Sequence, residues 1–268
     1  MAIKDSSPAS ANGIVQGMEV IAPEPCLSAP FSPASSKPDG DASHISAQSQ
    51  PGPIVHNKPT TVTLYASKDL KAAGLIPGVH DLINHAFFAS QNPFGIMSAE
   101  SLRLQSHQQL VDDLSRPGTF SYVITYTGTD LVIGVASAKR HKETVSRQPA
   151  SMDVAESAFT RTGILEPSTE GWELSTMAVD PSLQRQGLAG LLVKLVEGEV
   201  KRRFVLERAE KGTLRLQLVI LLSTVKEINL AFYIRRLYHA DYETYHGPCT
   251  MGNTAGFTIV HMSKRIEV

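Results

Sequence analysis

Residues 172–199 read WELSTMAVDPSLQRQGLAGLLVKLVEGE, and the rest of the chain is interpreted outward from this stretch. Its beginning alternates with the period of two that is typical of a strand. The side chains divide between two predicted faces, Trp172, Leu174, Thr176 and Ala178 on one and Glu173, Ser175, Met177 and Val179 on the other. Asp180-Pro181 ends the strand, because proline has no N–H for a ladder and restricts the residue before it. From Leu188 onward, leucine and valine recur at helical spacing, which predicts an amphipathic helix after a short polar loop.

The junction between that loop and the helix favours an anion. The first turn of a helix has N–H groups without intrahelical partners and carries a partial positive charge. Gly187 has no side chain and Ala189 has a small one, so an anion can approach the backbone closely. Gln184, Arg185 and Gln186 add polar or cationic side chains. The junction therefore predicts a pyrophosphate-binding site, and an ordinary β–α connection with a glycine in its turn is the alternative that composition leaves open.

The segment QRQGLA at residues 184–189 resembles the Q/R-x-x-G-x-G/A signature of the GNAT superfamily, the acetyl-CoA-dependent N-acyltransferases. It follows a strand that ends in Val-Asp-Pro and precedes a long helix, as it does in that family. The resemblance implies that acetyl-CoA binds here. The implied cofactor-binding residues are the backbone groups of Met177, Ala178 and Val179, together with Gln184, Arg185, Gln186, Gly187, Leu188, Ala189 and Gly190.

A second segment, NLAFYIRRLY at residues 229–238, resembles the asparagine–tyrosine motif ending in Gly-Phe that GNAT proteins carry on the helix after their fifth strand. Asn229 and Tyr233 are four residues apart and share one helical face. The resemblance implies that Asn229 contacts the pantetheine arm and that Tyr233 protonates the departing thiolate. Leu237 stands where the family has glycine, a departure at the turn into the next strand. Without the family, Tyr233 would be interpreted as a core aromatic residue.

Acyl transfer from a thioester to an amine needs a neutral amine, a donor to the developing oxyanion and a proton for the thiolate. By the resemblance, the amine attacks directly, so Cys249 is not needed as a nucleophile. Glu173 is the predicted general base, because many GNAT enzymes place a glutamate on this strand. An exposed strand glutamate is the equal alternative. Glu166 and Glu170 are lesser candidates.

The composition is that of an ordinary soluble globular protein, with 268 residues, a net charge of −1 and 42% hydrophobic residues. The balanced charge predicts binding neither to nucleic acid nor to an anionic membrane. No apolar run is long enough to span a bilayer, and the N-terminus lacks the features of a secretory signal. We therefore expect a cytoplasmic protein, with the nucleus as the alternative location. Cys26 and Cys249 are predicted to be free thiols, and no metal site is expected from the spacing of His107, His239, His246 and His261.

Residues 1–58 are rich in Ser, Pro, Ala and Gly and are predicted to form a disordered tail, since they cannot bury enough apolar surface to offset ordering. Residues 59–268 are predicted to form one GNAT acyltransferase domain. Its elements follow the order β, α, α, β, β, β, α, β, α, β, β, which is the order of that family. The fold class is therefore α/β (α+β), a mixed, mostly antiparallel twisted sheet flanked by helices. The family's fourth and fifth strands, here residues 172–179 and 214–222, are expected to be parallel and splayed apart.

The acceptor implied by the resemblance is a primary amine on a small molecule or a peptide, and a homodimer is a further expectation. Residues 245–258 resemble a region of fungal GNAT-like proteins without indicating an amine. Lys201, Arg202 and Arg203 predict a solvated helix face, with the 3′-phosphate of CoA as the alternative contact. Two other functions stay open. One is a catalytically inactive GNAT-like module that binds CoA for regulation, and the other is a nucleotide-phosphate-binding β–α protein outside the family.

Overall fold

The computed structural model describes residues 47–96, 102–141, 165, 168–212, 217–248 and 255–268. Within these ranges, strands and helices follow one another along the chain as β1 (Gln48–Pro51), β2 (Thr60–Ala66), α1 (Ser67–Ala72), α2 (Ile76–Gln91), α3 (His107–Leu114), β3 (Phe120–Tyr126), β4 (Val132–Arg140), β5 (Thr169–Val179), α4 (Leu188–Lys211), β6 (Gln217–Val225), α5 (Lys226–Ile234), β7 (His239–His246) and β8 (Phe257–Ile266). Short 3-10 turns follow α2 at Asn92–Phe94 and β5 at Pro181–Leu183. None of the described helices combines the length and the apolar character needed to cross a membrane.

The described strands form one sheet in the order β1-β2-β3-β4-β5-β6-β8-β7. Neighbouring strands are antiparallel except for β5 and β6, which pair in parallel between Thr169–Glu173 and Gln217–Leu221. The predicted mixed sheet with flanking helices is confirmed. The parallel strands, expected as the fourth and fifth, are the fifth and sixth of the chain, because one strand precedes those that the sequence pattern indicates.

That additional strand, β1, lies in the stretch predicted to be a disordered tail. Its four residues, QSQP, pair antiparallel with β2, from Gln48 opposite Leu64 to Pro51 opposite Thr61. Val55, in the following turn, is only 1% exposed and belongs to the hydrophobic core. The sheet therefore begins before the predicted boundary at residue 59, because the edge of β2 supplies a hydrogen-bonding partner to residues with little strand propensity of their own. Residues 1–46 lie outside the described residues.

The sheet is covered on both faces. On one face, buried side chains of α4 such as Leu192 and Val196 pack with Trp172, Leu218 and Tyr238. On the other face, α1, α2 and α3 contribute Leu70, Val79 and Leu110, which pack with strand residues including Val123 and Val135. We call these the α4 face and the α2 face. The adjacent residues Val135 and Ala136 of β4 belong to different faces, as the pleat requires.

A β-bulge in β5 changes which side chains of that strand share a face, compared with the prediction. Ser137 of β4 pairs with Thr176 and Ala138 pairs with Leu174, so Ser175 is an extra residue without a counterpart. Side chains before and after the bulge are therefore out of phase. Trp172, Leu174, Met177 and Val179 share the α4 face, whereas Ala178 packs on the α2 face. The prediction that Glu173 shares a face with Met177 and Val179 is wrong, because alternation assumes that no residue is inserted.

Candidate active site

The parallel strands β5 and β6 separate at a defined point. Their pairing ends at Glu173 opposite Leu221, and the described residues beyond, to Val179 and Val225, form no further pairs with one another. The bulge at Ser175 comes directly after the last paired residue. Each strand therefore has an edge without a partner strand, and backbone N–H and C=O groups there are available to a ligand. We call this opening the β5–β6 gap.

The N-terminus of α4 lies beyond the end of β5 and is open to solvent. The loop before it turns sharply, with Arg185 at φ 66° and Gly187 at φ 83°. Among the described residues no side chain caps this helix, and residues 184–187 are exposed. Apart from its chain neighbours, no described residue has a heavy atom within 4 Å of a Cβ added at Gly187. An uncapped helix start with open space before it fits the predicted pyrophosphate-binding site.

Other predicted cofactor-binding residues near this helix differ in their surroundings. Leu188 is buried in the core, and Ala189 packs against it. A Cβ on Gly190 would lie 2.5 Å from Nη2 of Arg236, so this glycine leaves space beside α4 for the Arg236 guanidinium. The Arg236 guanidinium also lies 3.6 Å from the ring centroid of Phe232.

His56 is a neighbour of the helix start that the sequence patterns did not indicate. Its Nε2 lies 2.7 Å from Nε2 of the Gln186 amide. The turn that carries it is fixed by two backbone hydrogen bonds between Val55 and Lys58. The two residues are 130 positions apart, so only the fold brings them together.

Tyr233 reaches the β5–β6 gap from the α4 face. Its side chain is 5% exposed, and its hydroxyl lies 3.9 Å from the Met177 sulfur, on the part of β5 beyond the bulge. Burial raises the pKa of this hydroxyl, and the nearby Arg236 opposes the shift. The hydroxyl is therefore protonated at neutral pH and can donate a proton. Asn229, one turn earlier on α5, donates from Nδ2 to Thr224 Oγ1 at 3.0 Å, near the end of β6.

The backbone after α5 shows what the leucine at position 237, where the resembling family has glycine, means for the turn. Leu237 takes the left-handed conformation, φ 65°, and its side chain is 71% exposed. This is the position at which the resembling family has glycine, the residue that adopts such a φ without steric cost. The turn is closed by the Tyr238 N–H, which donates to the Tyr233 carbonyl at 3.2 Å. Leu237 therefore adopts in this turn a backbone conformation that glycine would adopt without strain.

We expect Leu237→Gly to raise the free energy of unfolding by about 0.5–1 kcal/mol, since relief of roughly 1–2 kcal/mol of strain outweighs the entropy of an added glycine. Leu237→Ala keeps the Cβ and should bring no gain. Thermal unfolding of both variants measures the difference. A gain of equal size in the alanine variant would attribute the effect to the exposed leucine side chain and not to the backbone.

Glu173 lies on the α2 face, opposite the face that carries Tyr233. Its carboxylate is 3.3 Å from the ammonium of Lys139, its cross-strand neighbour on β4. Lys139 is buried, whereas the Glu173 side chain is 36% exposed. The predicted base is thus partly accessible and already engaged in an ion pair.

Glu170, a lesser candidate for the base, is buried and hydrogen-bonded to other side chains. It is 4% exposed and accepts hydrogen bonds from Trp172 Nε1 at 2.8 Å and from Arg140 Nη1 at 2.9 Å. Arg140 also pairs with Glu207 of α4 and lies over the Trp172 ring. Glu166, the other lesser candidate, lies outside the described residues.

Glu170→Ala is expected to lower the free energy of unfolding by about 3 kcal/mol, because the buried indole N–H of Trp172 loses its acceptor and the Arg140 guanidinium keeps only Glu207 as a carboxylate partner among the described residues. Glu170→Gln keeps an acceptor oxygen and should lose less. Urea denaturation distinguishes the two, and an alanine variant as stable as the wild type would contradict a structural role.

A histidine on the last strand, His261, belongs to a group of polar side chains beside the gap. Its Nδ1 lies 2.8 Å from Ser223 Oγ on β6, and its Nε2 lies 3.3 Å from Thr244 Oγ1 on β7. Tyr242 stacks on the imidazole at a centroid distance of 4.1 Å. Burial lowers the pKa of His261, the neighbouring His246 lowers it further, and Asp241 opposes both. Ser223 and His261 are 38 residues apart, and the register of β6 with β8 places them opposite each other.

Two further groups of polar side chains are the basic residues of α4 and a set of possible metal ligands. Lys201 and Arg202 are exposed, as predicted for a solvated helix face, whereas Arg203 is partly buried. Both arginines also donate to the buried Glu199 of their own helix, which lowers its pKa against the effect of burial. The ligand atoms of His80, Asp81 and His107 lie within 4.8 Å of one another, a grouping that could hold a metal ion. Both ring nitrogens of His80 already have protein partners, Asp81 on one side and Leu104 and Asn84 on the other. Cys26 and Cys249 lie outside the described residues.

A comparison with known protein families matches a large part of this chain. Residues 79–214, just over half of the chain, match the model of the acetyltransferase (GNAT) family. Both Glu173 and the loop at residues 184–190 fall within the match, whereas Tyr233 and His261 follow it. A comparison with curated protein sequences gave no match.

Several solved structures are similar to this chain at low identity. The ribosomal-protein-S18-alanine N-acetyltransferase of Escherichia coli is 14% identical with a TM-score of 0.45, covering 78% of this chain and 95% of its own. The protein smu.2055 of Streptococcus mutans is 15% identical with a TM-score of 0.46, covering 77% and 99%. Ard1 of Thermoplasma volcanium is 11% identical with a TM-score of 0.44, covering 78% and 99%.

Proposed function

We propose that this chain, which belongs to the acetyltransferase (GNAT) family, transfers the acetyl group of acetyl-CoA directly to a primary amine on a small molecule or peptide. The single observation that carries this proposal is the Tyr233 hydroxyl beside Met177, at the gap between two parallel strands. A buried, protonated hydroxyl at such a gap is suited to meet a leaving group that needs a proton.

The cofactor contacts follow from the two open features of the site. The uncapped start of α4, with Gly187 before it, offers backbone N–H groups and a partial positive charge to the pyrophosphate. Gln184, Arg185 and Gln186 flank that position. The unpaired edge of β5 at Met177, Ala178 and Val179 offers backbone groups to the pantetheine arm and the thioester. Asn229, beside Thr224, lies on the same side of the gap as Tyr233.

The chemistry divides between the two faces of the sheet. Tyr233 reaches the gap from the α4 face and gives its proton to the sulfur as the carbon–sulfur bond breaks. The amine approaches from the α2 face, where Glu173 lies. The ion pair of Glu173 with Lys139 suits a role in attracting and orienting a cationic amine better than a role as sole base. If Glu173 accepted a proton from the amine, its carboxylate would lose its charge and with it the ion pair with Lys139.

Titration of acetyl-CoA into the full-length protein, followed by calorimetry, tests the cofactor half of the proposal. Release of free CoA thiol with a panel of alkyl, aromatic, amino-acid and peptide amines tests the transfer half. Binding with thiol release supports an N-acetyltransferase and identifies the amine class. Binding without release from any amine would favour the CoA-binding regulatory module. Absence of binding would contradict both functions.

A further inference from the structure

The hydroxyl of Ser223 lies beside the β5–β6 gap, on the face from which we propose that the amine approaches. Ser223 is two residues beyond Leu221, the last residue of β6 that pairs with β5. Its neighbour Leu222 packs into the core that contains Tyr233, so Ser223 points to the opposite face, the α2 face. The residue is exposed and therefore accessible to a substrate.

His261 holds that hydroxyl from the next strand. The imidazole Nδ1 is 2.8 Å from Ser223 Oγ, and the Thr244 hydroxyl at Nε2 provides a second hydrogen bond that fixes the ring. When Nε2 donates to Thr244, Nδ1 accepts the hydroxyl proton of Ser223, and the serine oxygen is left to accept a proton from the gap. Stacking with Tyr242 holds the ring plane.

The surroundings of His261 keep the imidazole neutral. Desolvation by burial is the main cause of its lowered pKa, and His246 acts in the same direction, whereas Asp241 raises it. Tyr242, which lies against the ring, is itself held in its neutral phenol form by a raised pKa. A neutral imidazole at physiological pH is the form that accepts a proton.

We propose that Ser223 and His261 form a proton relay that takes the proton of the acceptor amine, which gives the site a proton acceptor on the face opposite its proton donor. This inference rests on the proposed acetyl transfer. It assigns to this pair a role that the family resemblance implies for Glu173, whose carboxylate pairs with Lys139 on the same face. Ser223 contacts the amine, and His261 acts through Ser223.

The proton balance closes without an additional reagent. The amine gives one proton to Ser223 Oγ while the serine gives its own to Nδ1 of His261. The neutral amine then forms the carbon–nitrogen bond, and the carbon–sulfur bond breaks. The thiolate takes the Tyr233 proton, and the second proton of the nitrogen returns to the tyrosine. His261 finally releases its proton to solvent.

The test uses the full-length protein with the substitutions His261→Gln and Ser223→Ala, and His239→Gln as the matched control. His239 is an exposed histidine on the neighbouring strand β7. Calorimetric titration of acetyl-CoA comes first and should give unchanged binding in every variant. Turnover is then measured by thiol release with the best amine of the panel, as a function of pH.

We expect turnover of the wild type to fall as the pH drops through the His261 pKa, because the imidazolium cannot accept a proton. His261→Gln should lose about 10²- to 10⁴-fold in kcat/KM, the range typical of general base catalysis. It should also lose this acidic limb. Ser223→Ala should lose a smaller factor, since a water can replace the hydroxyl. The control His239→Gln should keep both the rate and the acidic limb. If His261 had a purely structural role, His261→Gln would keep the acidic limb as well.

A second measurement needs no acceptor amine. Nitrogen NMR of the labelled imidazole reports the protonation of His261 and its bond to Ser223 in the free protein. Addition of acetyl-CoA should shift its resonances, and Ser223→Ala should change its tautomer balance. Retention of the acidic limb in His261→Gln, or a His261 signal that acetyl-CoA leaves unmoved although calorimetry shows binding, would overturn the relay while leaving acetyl transfer intact. No binding of acetyl-CoA to any form would remove both.

Discussion

Tyr233→Phe is expected to lower kcat for acetyl transfer by about 10²- to 10⁴-fold while acetyl-CoA binding is kept. The substitution removes one oxygen, whose described partner is the Met177 sulfur at the weak distance of 3.9 Å. The aromatic ring, its contact with Tyr238 and the surrounding packing remain. The loss therefore falls on the proton that the departing thiolate needs. Steady-state thiol release and calorimetry on the same preparation measure the two effects separately.

Tyr238→Phe is the matched control, because Tyr238 lies in the same core with its ring centroid 5.5 Å from that of Tyr233. Its hydroxyl is buried, and its pKa is raised by burial and by the nearby Glu197. We expect this variant to turn over at the rate of the wild type. A Tyr233→Phe protein with full kcat would exclude the tyrosine as proton donor, and equal losses in both variants would indicate a general disturbance of the core.

Gly187→Val is expected to weaken acetyl-CoA binding about 100-fold, a change of roughly 2.8 kcal/mol. Valine at φ 83° is strained, and its methyl groups occupy the open space in front of the uncapped N–H groups of α4. Apart from its chain neighbours, no described residue has an atom within 4 Å of an added Cβ, so the fold can accommodate the valine, whereas the valine excludes the phosphate. Calorimetric titration of acetyl-CoA measures the loss.

Gly198→Ala is its control on the same helix. An added Cβ at Gly198 also meets no atom within 4 Å, but its backbone does not have a positive φ. Alanine in a helix interior stabilises by about 0.5–1 kcal/mol relative to glycine, so the melting temperature should rise with binding unchanged. Unimpaired binding in Gly187→Val would show that the phosphates of acetyl-CoA lie elsewhere.

The sequence predicted features whose cause is local. The apolar spacing after Leu188 and the glycine before it indicate a helix through near neighbours, and the helix is present. The order of elements followed from the same patterns. Tyr233 was indicated by a short motif on one helix, and the fold places its hydroxyl beside β5. Its role as proton donor stays a prediction.

Features that depend on distant parts of the chain were missed. A bulge inserts one residue, Ser175, into an otherwise regular alternation, and only pairing with Ser137 and Ala138 of β4 reveals it. Ser223 and His261 meet through the register of two strands, and Lys139 meets Glu173 in the same way. The strand β1 has no pattern of its own, because its hydrogen bonds are supplied by β2.

The short strand β1 covers the edge of β2, which would otherwise be open to pairing with another chain. Without it, β2 would present the residues TTVTLYA as an open sheet edge, alternating, β-branched and free of charge, which is the kind of segment that recruits identical strands. The covering strand is four residues long and ends in proline, so it offers a poor template to a further chain. We therefore expect a shortened protein that begins at Thr60 to aggregate more readily than the full-length protein, so fragments for experiments should retain β1.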